Sequence, residues 1–95
     1  MLIKSETKNM SRIDCLVLAS LEKTSLSLTG ITNKIASSNI KKLPTRIGIH
    51  ARLKKLNSQG FVIFNWQEGR KIYTITNKGL LEIKQFINQL MRLAA

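Results

Sequence analysis

The chain of 95 residues has one cysteine, Cys15, one proline, Pro44, and only five acidic residues, Glu6, Asp14, Glu22, Glu68 and Glu82. A lone cysteine rules out an internal disulfide and any multi-cysteine metal site, which suits a reducing compartment, and Cys15 is expected to pack as a small apolar residue. Scattered carboxylates, a single histidine (His50), a single thiol and no glycine-rich phosphate loop leave the groups for acid–base, nucleophilic or metal catalysis unassembled. No catalytic residue, no metal site and no cofactor is therefore expected. Long apolar runs are missing too. The opening residues Met1 to Lys8 lack the apolar core of a signal peptide, and no stretch approaches the roughly 20 apolar residues of a membrane span. The chain reads as a cytoplasmic protein with no membrane partner.

What is present is positive charge. Sixteen Lys and Arg give a formal net charge of +11, an excess that repels itself unless a polyanion neutralises it. Its placement is more telling, because eight basic residues and no acidic one lie between Lys23 and Gln67. Nucleic acid is the partner such a distribution fits. The 43% hydrophobic content builds one modest core, and two domains would not fit in this length. A chain this small buries only about 60–65% of its unfolded surface, so a partner subunit would help it.

The hydrophobic periodicity outlines six elements. Ser11-Arg12-Ile13-Asp14 is a capping pattern, and Ile13, Leu16, Val17 and Leu21 behind it predict an amphipathic helix ending near Thr24. Leu28, Ile31 and Ile35 predict a short second helix. Pro44 then breaks regular structure, Thr45 is placed to cap a third helix, and Ile49, Leu53 and Leu56 make the buried stripe of that helix, which Gly60 stops. Phe61 to Gln67 and Lys71 to Thr76 are rich in β-branched and aromatic residues and answer each other across Glu68-Gly69 as a hairpin with one buried face. Thr76 or Asn77 caps a last helix in which Leu80, Ile83, Ile87, Leu90 and Ala94 form a heptad-like seam. The expected organisation is a basic extension over 1–10, a DNA-binding domain over 11–78 and a C-terminal dimerisation helix over 79–95.

Three helices followed at once by a hairpin is the plan of the winged helix-turn-helix, an α+β fold that is mainly α. The stretch Leu28-Thr29-Gly30-Ile31, the run Leu53-Lys54-Lys55-Leu56-Asn57-Ser58-Gln59-Gly60-Phe61-Val62 and the closing Tyr73-Thr74-Ile75-Thr76-Asn77-Lys78-Gly79 together resemble the PadR family of bacterial and archaeal regulators over residues 13–95. The resemblance implies that the leucine run ends a recognition helix, that the tyrosine run closes the wing and that the last helix dimerises. His50 stands where these proteins commonly carry tyrosine, and the wing is shorter than usual. Regulators of the MarR and ArsR kinds share the motifs more loosely.

With Ile49, Leu53 and Leu56 facing inward, a step of about 100° per residue turns Ile47, Ala51, Lys54 and Ser58 outward, flanked by His50 and Lys55. Ile47 and Ala51 suit thymine methyl groups, and His50 is a groove or packing residue. Lys54, Lys55, Lys41, Lys42 and Arg46 suit phosphates, and the helix start capped by Thr45 offers backbone N–H groups to another. Arg70 and Lys71 at the wing tip reach the flanking backbone, while Trp66 and Tyr73 are expected to pack the hairpin or line an interface. These features point to a repressor that binds duplex DNA as a homodimer. The alternative is a winged module that docks on RNA or protein, and the small apolar centre of a basic helix face favours a wide groove that A-form RNA lacks.

Overall fold

The computed structural model describes residues 10–94, so the expected basic extension, Met10 apart, lies outside the described residues. Six elements succeed one another: α1 (Arg12–Ser20), α2 (Leu28–Ala36), α3 (Arg46–Ser58), β1 (Val62–Gln67), β2 (Arg70–Ile75) and α4 (Asn77–Ala94). This is the winged helix-turn-helix order expected from the pattern. Each helix starts on a hydroxyl. Ser11 Oγ accepts the Asp14 N–H while Asp14 Oδ2 accepts the Ser11 N–H, a reciprocal capping box. Ser27, Thr45 and Thr76 accept from Gly30, Gly48 and Gly79 in the same way. A cap of this kind stabilises a helix by about 1 kcal/mol, a useful sum over four helices.

The core is one cluster drawn from every helix: Val17, Leu18 and Leu21 of the α1 region, Ile31 and Ile35 of α2, Ile49, Leu53 and Leu56 of α3, Phe61, Val62 and Tyr73 of the wing base, and Ile83 of α4. The expected inward stripe of α3 is thus fully buried. In α1 the stripe is rotated, with Leu18 inside and Ile13 and Leu16 only half-buried, and Cys15 packs at the edge of the core. Helix α1 stops at Ser20, short of the expected Thr24. The cause lies in another helix: Lys34 Nζ donates to the Ser20 carbonyl at 3.1 Å, which caps α1 and frees the chain to turn.

That turn has a purpose that local pattern does not reveal. Leu26 pairs with Tyr73 through two backbone hydrogen bonds of 3.1 and 2.8 Å, and Ser25 Oγ lies 2.7 Å from Thr74 Oγ1, so the α1–α2 connection forms a third rung beside the hairpin. The hairpin itself is antiparallel, from Val62 opposite Ile75 to Gln67 opposite Arg70. Glu68 and Gly69 close it at φ of +52° and +79°, the two left-handed residues of a turn whose twist matches the strands. The expected buried face does not extend along the wing. Only Val62 in β1 and Tyr73 in β2 are buried, because no described element lies beneath the hairpin beyond its base.

The junction after the wing is tight. Thr76 returns to the end of α3, donating its N–H to the Phe61 carbonyl at 3.0 Å and its hydroxyl to the Gly60 carbonyl at 2.7 Å. Three residues on, a Cβ on Gly79 would sit 2.3 Å from the Phe61 oxygen, a backbone atom that has no room to move. Glycine is therefore required for α4 to start against the α3–β1 corner. Gly79→Ala should destabilise the protein by about 1–3 kcal/mol, the usual cost of forcing atoms into a packed site. Urea unfolding measures it, and an unchanged midpoint would contradict the close approach.

Candidate nucleic-acid interface

The outward face of α3 is built as its periodicity requires. Ile47 is 82% exposed, and His50, Ala51, Lys54, Lys55 and Ser58 are exposed as well, while the opposite stripe is closed off in the core. Lys41 and Lys42 stand exposed in the loop before the helix. That loop is tied down from α1, since the Arg12 guanidinium donates to the Lys42 carbonyl at 2.6 Å. Thr45 is the cap, leaving the helix start at the surface. Arg46 is exposed and its guanidinium donates to Thr29 Oγ1 at 3.0 Å, which links the first turn of α3 to the first turn of α2.

What aims this helix is a residue to which the sequence pattern assigns no role. Arg52 lies three residues beyond Ile49, at the edge of the buried stripe, and grips Asp14 of α1 with both arms: Nε to Oδ1 at 2.6 Å and Nη2 to Oδ2 at 2.8 Å. The Asp14 side chain is 3% exposed and that of Arg52 26%, so the pair is largely shielded from water. Burial by itself would push the Asp14 carboxyl up. The Arg52 guanidinium and the Ser11 N–H outweigh it and hold that carboxyl below the ordinary carboxylate value. The signal in the sequence is faint: a basic residue beside a buried stripe needs a partner, and nothing local names which acid supplies it.

Across from α3 stands the wing. An open cleft between them is lined by Ser27, Leu28 and Thr29 at the start of α2, Arg46 and His50 of α3, and Arg70, Lys71 and Tyr73 of β2. Arg70 is exposed next to the turn. Lys71 is half-buried and lies back over two rings of β1, with its Nζ 4.3 Å from the centre of Phe64 and 5.8 Å from that of Trp66. Tyr73 packs the wing base as expected, its ring 5.9 Å from Phe64, whereas Trp66 is 66% exposed and packs nothing fully. Among the described carboxylates Asp14 and Glu82 are buried, which leaves Glu22 and Glu68 at the surface against the basic face.

The seam expected on α4 divides in two. Ile83 belongs to the chain's own core and Leu80 is half-buried, so these residues are largely occupied within the chain. Ile87 and Leu90 are 47% and 50% exposed, and they are joined by Met91 and Leu93, which are more exposed still. Ala94 ends the helix, and its side chain lies outside the described residues. No group of three or more His, Cys, Asp or Glu among the described residues forms a metal site, and no described helix is long and apolar enough to cross a membrane. The Cys15 thiol is pushed up to about 11 by burial and by the neighbouring Asp14 charge, so it stays protonated at neutral pH.

The fold and the cleft define a winged helix-turn-helix protein, and PadR-family transcriptional regulators are among its structural neighbours. The chain is 27% identical to Bacillus subtilis PadR crystallised with operator DNA, with a TM-score of 0.73 over 82% of this chain and 48% of that one. It thus spans about half the length of that relative. A PadR family regulator of Clostridium difficile is 26% identical, with a TM-score of 0.66 over 87% of this chain and 97% of that one. A transcriptional regulator of Clostridium thermocellum shares the fold at 17% identity, with a TM-score of 0.77 over 97% and 92% of the two chains. No family model and no curated protein sequence matches the chain. These neighbours are regulators rather than enzymes.

The Asp14–Arg52 pair yields a test of how α3 is held. Arg52→Met should cost about 3 kcal/mol at neutral pH, since it strands a buried carboxylate, while Asp14→Leu combined with Arg52→Met should recover much of that loss. The pH dependence has a definite sign. With its folded pKa lowered, Asp14 contributes fully above its ordinary value near 3.8, and the contribution is lost as pH falls through the lower folded value. The acid limb of the stability profile should flatten in Arg52→Met. Denaturant unfolding of the two single variants and the double variant, across pH, measures both effects; strictly additive losses would show that the pair is not coupled.

Proposed function

We propose that this chain is a DNA-binding transcriptional regulator of the cytoplasm, a repressor that binds a near-palindromic operator as a homodimer. The observation that carries the reading is the exposed face of α3, in which apolar Ile47 and Ala51 stand among Lys54, Lys55 and His50, on a helix without one acidic residue. Such a face suits the major groove of B-form DNA: methyl contacts and base edges at its centre, phosphates along its flanks. Lys41, Lys42, Arg46 and the helix start capped by Thr45 face the backbone on one side of the groove. Arg70 and Lys71 reach the backbone on the other. The Bacillus subtilis neighbour crystallised with operator DNA supports the same partner.

The dimer reading rests on α4. Ile87, Leu90, Met91 and Leu93 leave an apolar stripe that the described part of the same protomer does not cover. Burying a Leu or Ile side chain contributes roughly 1.5–3 kcal/mol, so a few on each subunit offset the cost of association. A two-fold dimer presents two copies of α3 to successive major grooves, which calls for half-sites about one helical turn, or a multiple of it, apart. A dimer seated there covers its site against polymerase, and this is the sense in which we read it as a repressor.

Two experiments test these claims. If a dimer makes about 6–10 phosphate contacts, affinity for duplex DNA should fall roughly 10³- to 10⁵-fold between about 50 and 200 mM salt. Lys54→Ala and Lys42→Ala should weaken all sequences alike, whereas changes at Ile47 or Ala51 should move the preferred sequence, by about 1–3 kcal/mol per base pair. Titration against duplex DNA and duplex RNA, followed by selection from random DNA, measures this. Binding to RNA in preference would favour the RNA-docking alternative, and unchanged consensus sites would remove Ile47 and Ala51 from readout. For assembly, the Ile87→Asp, Leu90→Asp double variant should sediment as a monomer with greatly weakened DNA binding, and a wild type that is monomeric both alone and on DNA would refute the dimer.

A further inference from the structure

The chain is poor in aromatic residues, yet three of its five, Phe64, Trp66 and Tyr73, stand on the two strands of the wing, and Trp66 and Phe64 are 66% and 37% exposed. At its exposure Trp66 offers little to the core, and Phe64 only touches it through Tyr73. The strand register supplies another reason. Trp66 lies opposite Lys71 and Phe64 opposite Tyr73, so all four side chains leave the same face of the hairpin. On that face the Lys71 ammonium sits 4.3 Å from the Phe64 ring centre and 5.8 Å from that of Trp66, both within the range in which a ring face attracts a cation.

We propose that Phe64 and Trp66 are positioning residues, an aromatic seat that holds the Lys71 ammonium at the wall of the α3–wing cleft, ready for a phosphodiester of the duplex backbone. The proposal rests on the DNA-binding reading above and adds to it the part played by two uncharged residues. A carboxylate partner would neutralise Lys71 and occupy its N–H donors. A ring face does neither: it attracts the ammonium through its quadrupole and leaves the charge and donors available to an anion. Lys71 lines the cleft together with Arg46 and Arg70, so the seat holds it where cationic groups from α3 and the wing face one gap. Arg46 is restrained as well, by Thr29. A long flexible lysine loses rotamer freedom when it grips a ligand, and one already laid over two rings has less left to lose.

The test uses the full chain and a short mixed-sequence duplex, because a phosphate contact is independent of sequence. Lys71→Ala should weaken binding and flatten the dependence of log affinity on log salt by about 0.9 for each phosphate that Lys71 neutralises. Phe64→Leu should weaken binding roughly two- to fivefold, with the salt slope unchanged because the charge remains. Trp66→Phe should bind as the wild type does, and Trp66→Leu more weakly. In a Lys71→Ala background, Phe64→Leu should have no further effect. A readout on the free protein, the upfield ring-current shift of the Lys71 Cε protons, should disappear in Phe64→Leu. If Phe64→Leu weakens binding equally with and without Lys71, if Lys71→Ala leaves the salt slope unaltered, or if the ring-current shift is missing, the seat is overturned while the DNA-binding reading stands. A wild type that binds no duplex overturns both.

Discussion

One carboxylate, Asp14, sets the start of α1 and the aim of α3. It accepts the Ser11 N–H at the first turn of its own helix and both arms of Arg52 from α3. A buried stripe such as Ile49, Leu53 and Leu56 tells a helix which side faces in, but apolar contact is non-directional and leaves small tilts and rotations nearly free. The planar fork of a guanidinium on a carboxylate is directional. It fixes the azimuth of α3 about its own axis, and with it the direction of every outward residue from Ile47 to Ser58. The remaining parts are referenced to that helix: the wing departs from its end at Phe61 and Val62, and α4 starts against the same corner through Thr76 and Gly79.

The pair has a second consequence, in the electrostatics of the surface. A protein with so few acids has few ways to offset its cations, and here one acid is spent inside on Arg52 while Glu82 is buried in α4. With Asp14 and Glu82 inside, only Glu22 and Glu68 of the described carboxylates remain at the surface, and Lys41, Lys42, Arg46, Lys54 and Lys55 give the α3 side a positive field. Such a field raises the local concentration of a polyanion and accelerates its approach, at the cost of self-repulsion in the free protein. Arg46 and Lys71 show how that cost is limited without sacrificing charge: one donates to a hydroxyl and the other lies on rings, so each is held by a neutral partner.

Much of the fold is legible in the sequence because its determinants are local. Caps at Ser11 and Thr45, the stop at Gly60, the Glu68-Gly69 turn and the inward stripe of α3 are each written within a few residues, where steric and hydrogen-bonding rules act directly. The exposed face of α3 comes from the same periodicity. What escapes is whatever depends on distant pairs. Asp14 and Arg52 lie 38 residues apart, and Leu26 finds Tyr73 only once the hairpin has folded back. The pattern consequently gives the α1–α2 connection no partner, and reads α1 as one turn too long, since the lysine that ends it sits on α2. The seat under Lys71 is hidden for another reason. Alternation in β1 suggests a buried face, and only the open space beneath the outer hairpin shows that Phe64 and Trp66 have a different use.

Helix α4 joins these observations to the geometry of binding. Its first turns belong to the domain: Gly79 allows the backbone to approach the Phe61 carbonyl, and Ile83 reaches the core. Its later turns carry Ile87, Leu90, Met91 and Leu93 on a single continuous helix of about 27 Å at 1.5 Å per residue, with no proline or glycine beyond Gly79 to bend it. The apolar stripe is therefore in rigid register with the corner from which the wing departs, and through that corner with α3. A partner seated on the stripe would inherit the same register by two-fold symmetry, so the separation of the two copies of α3 would be set by α4 rather than adjusted on the nucleic acid. Loosening the corner at Gly79 would then disturb the spacing between recognition helices while leaving each helix's own chemistry intact.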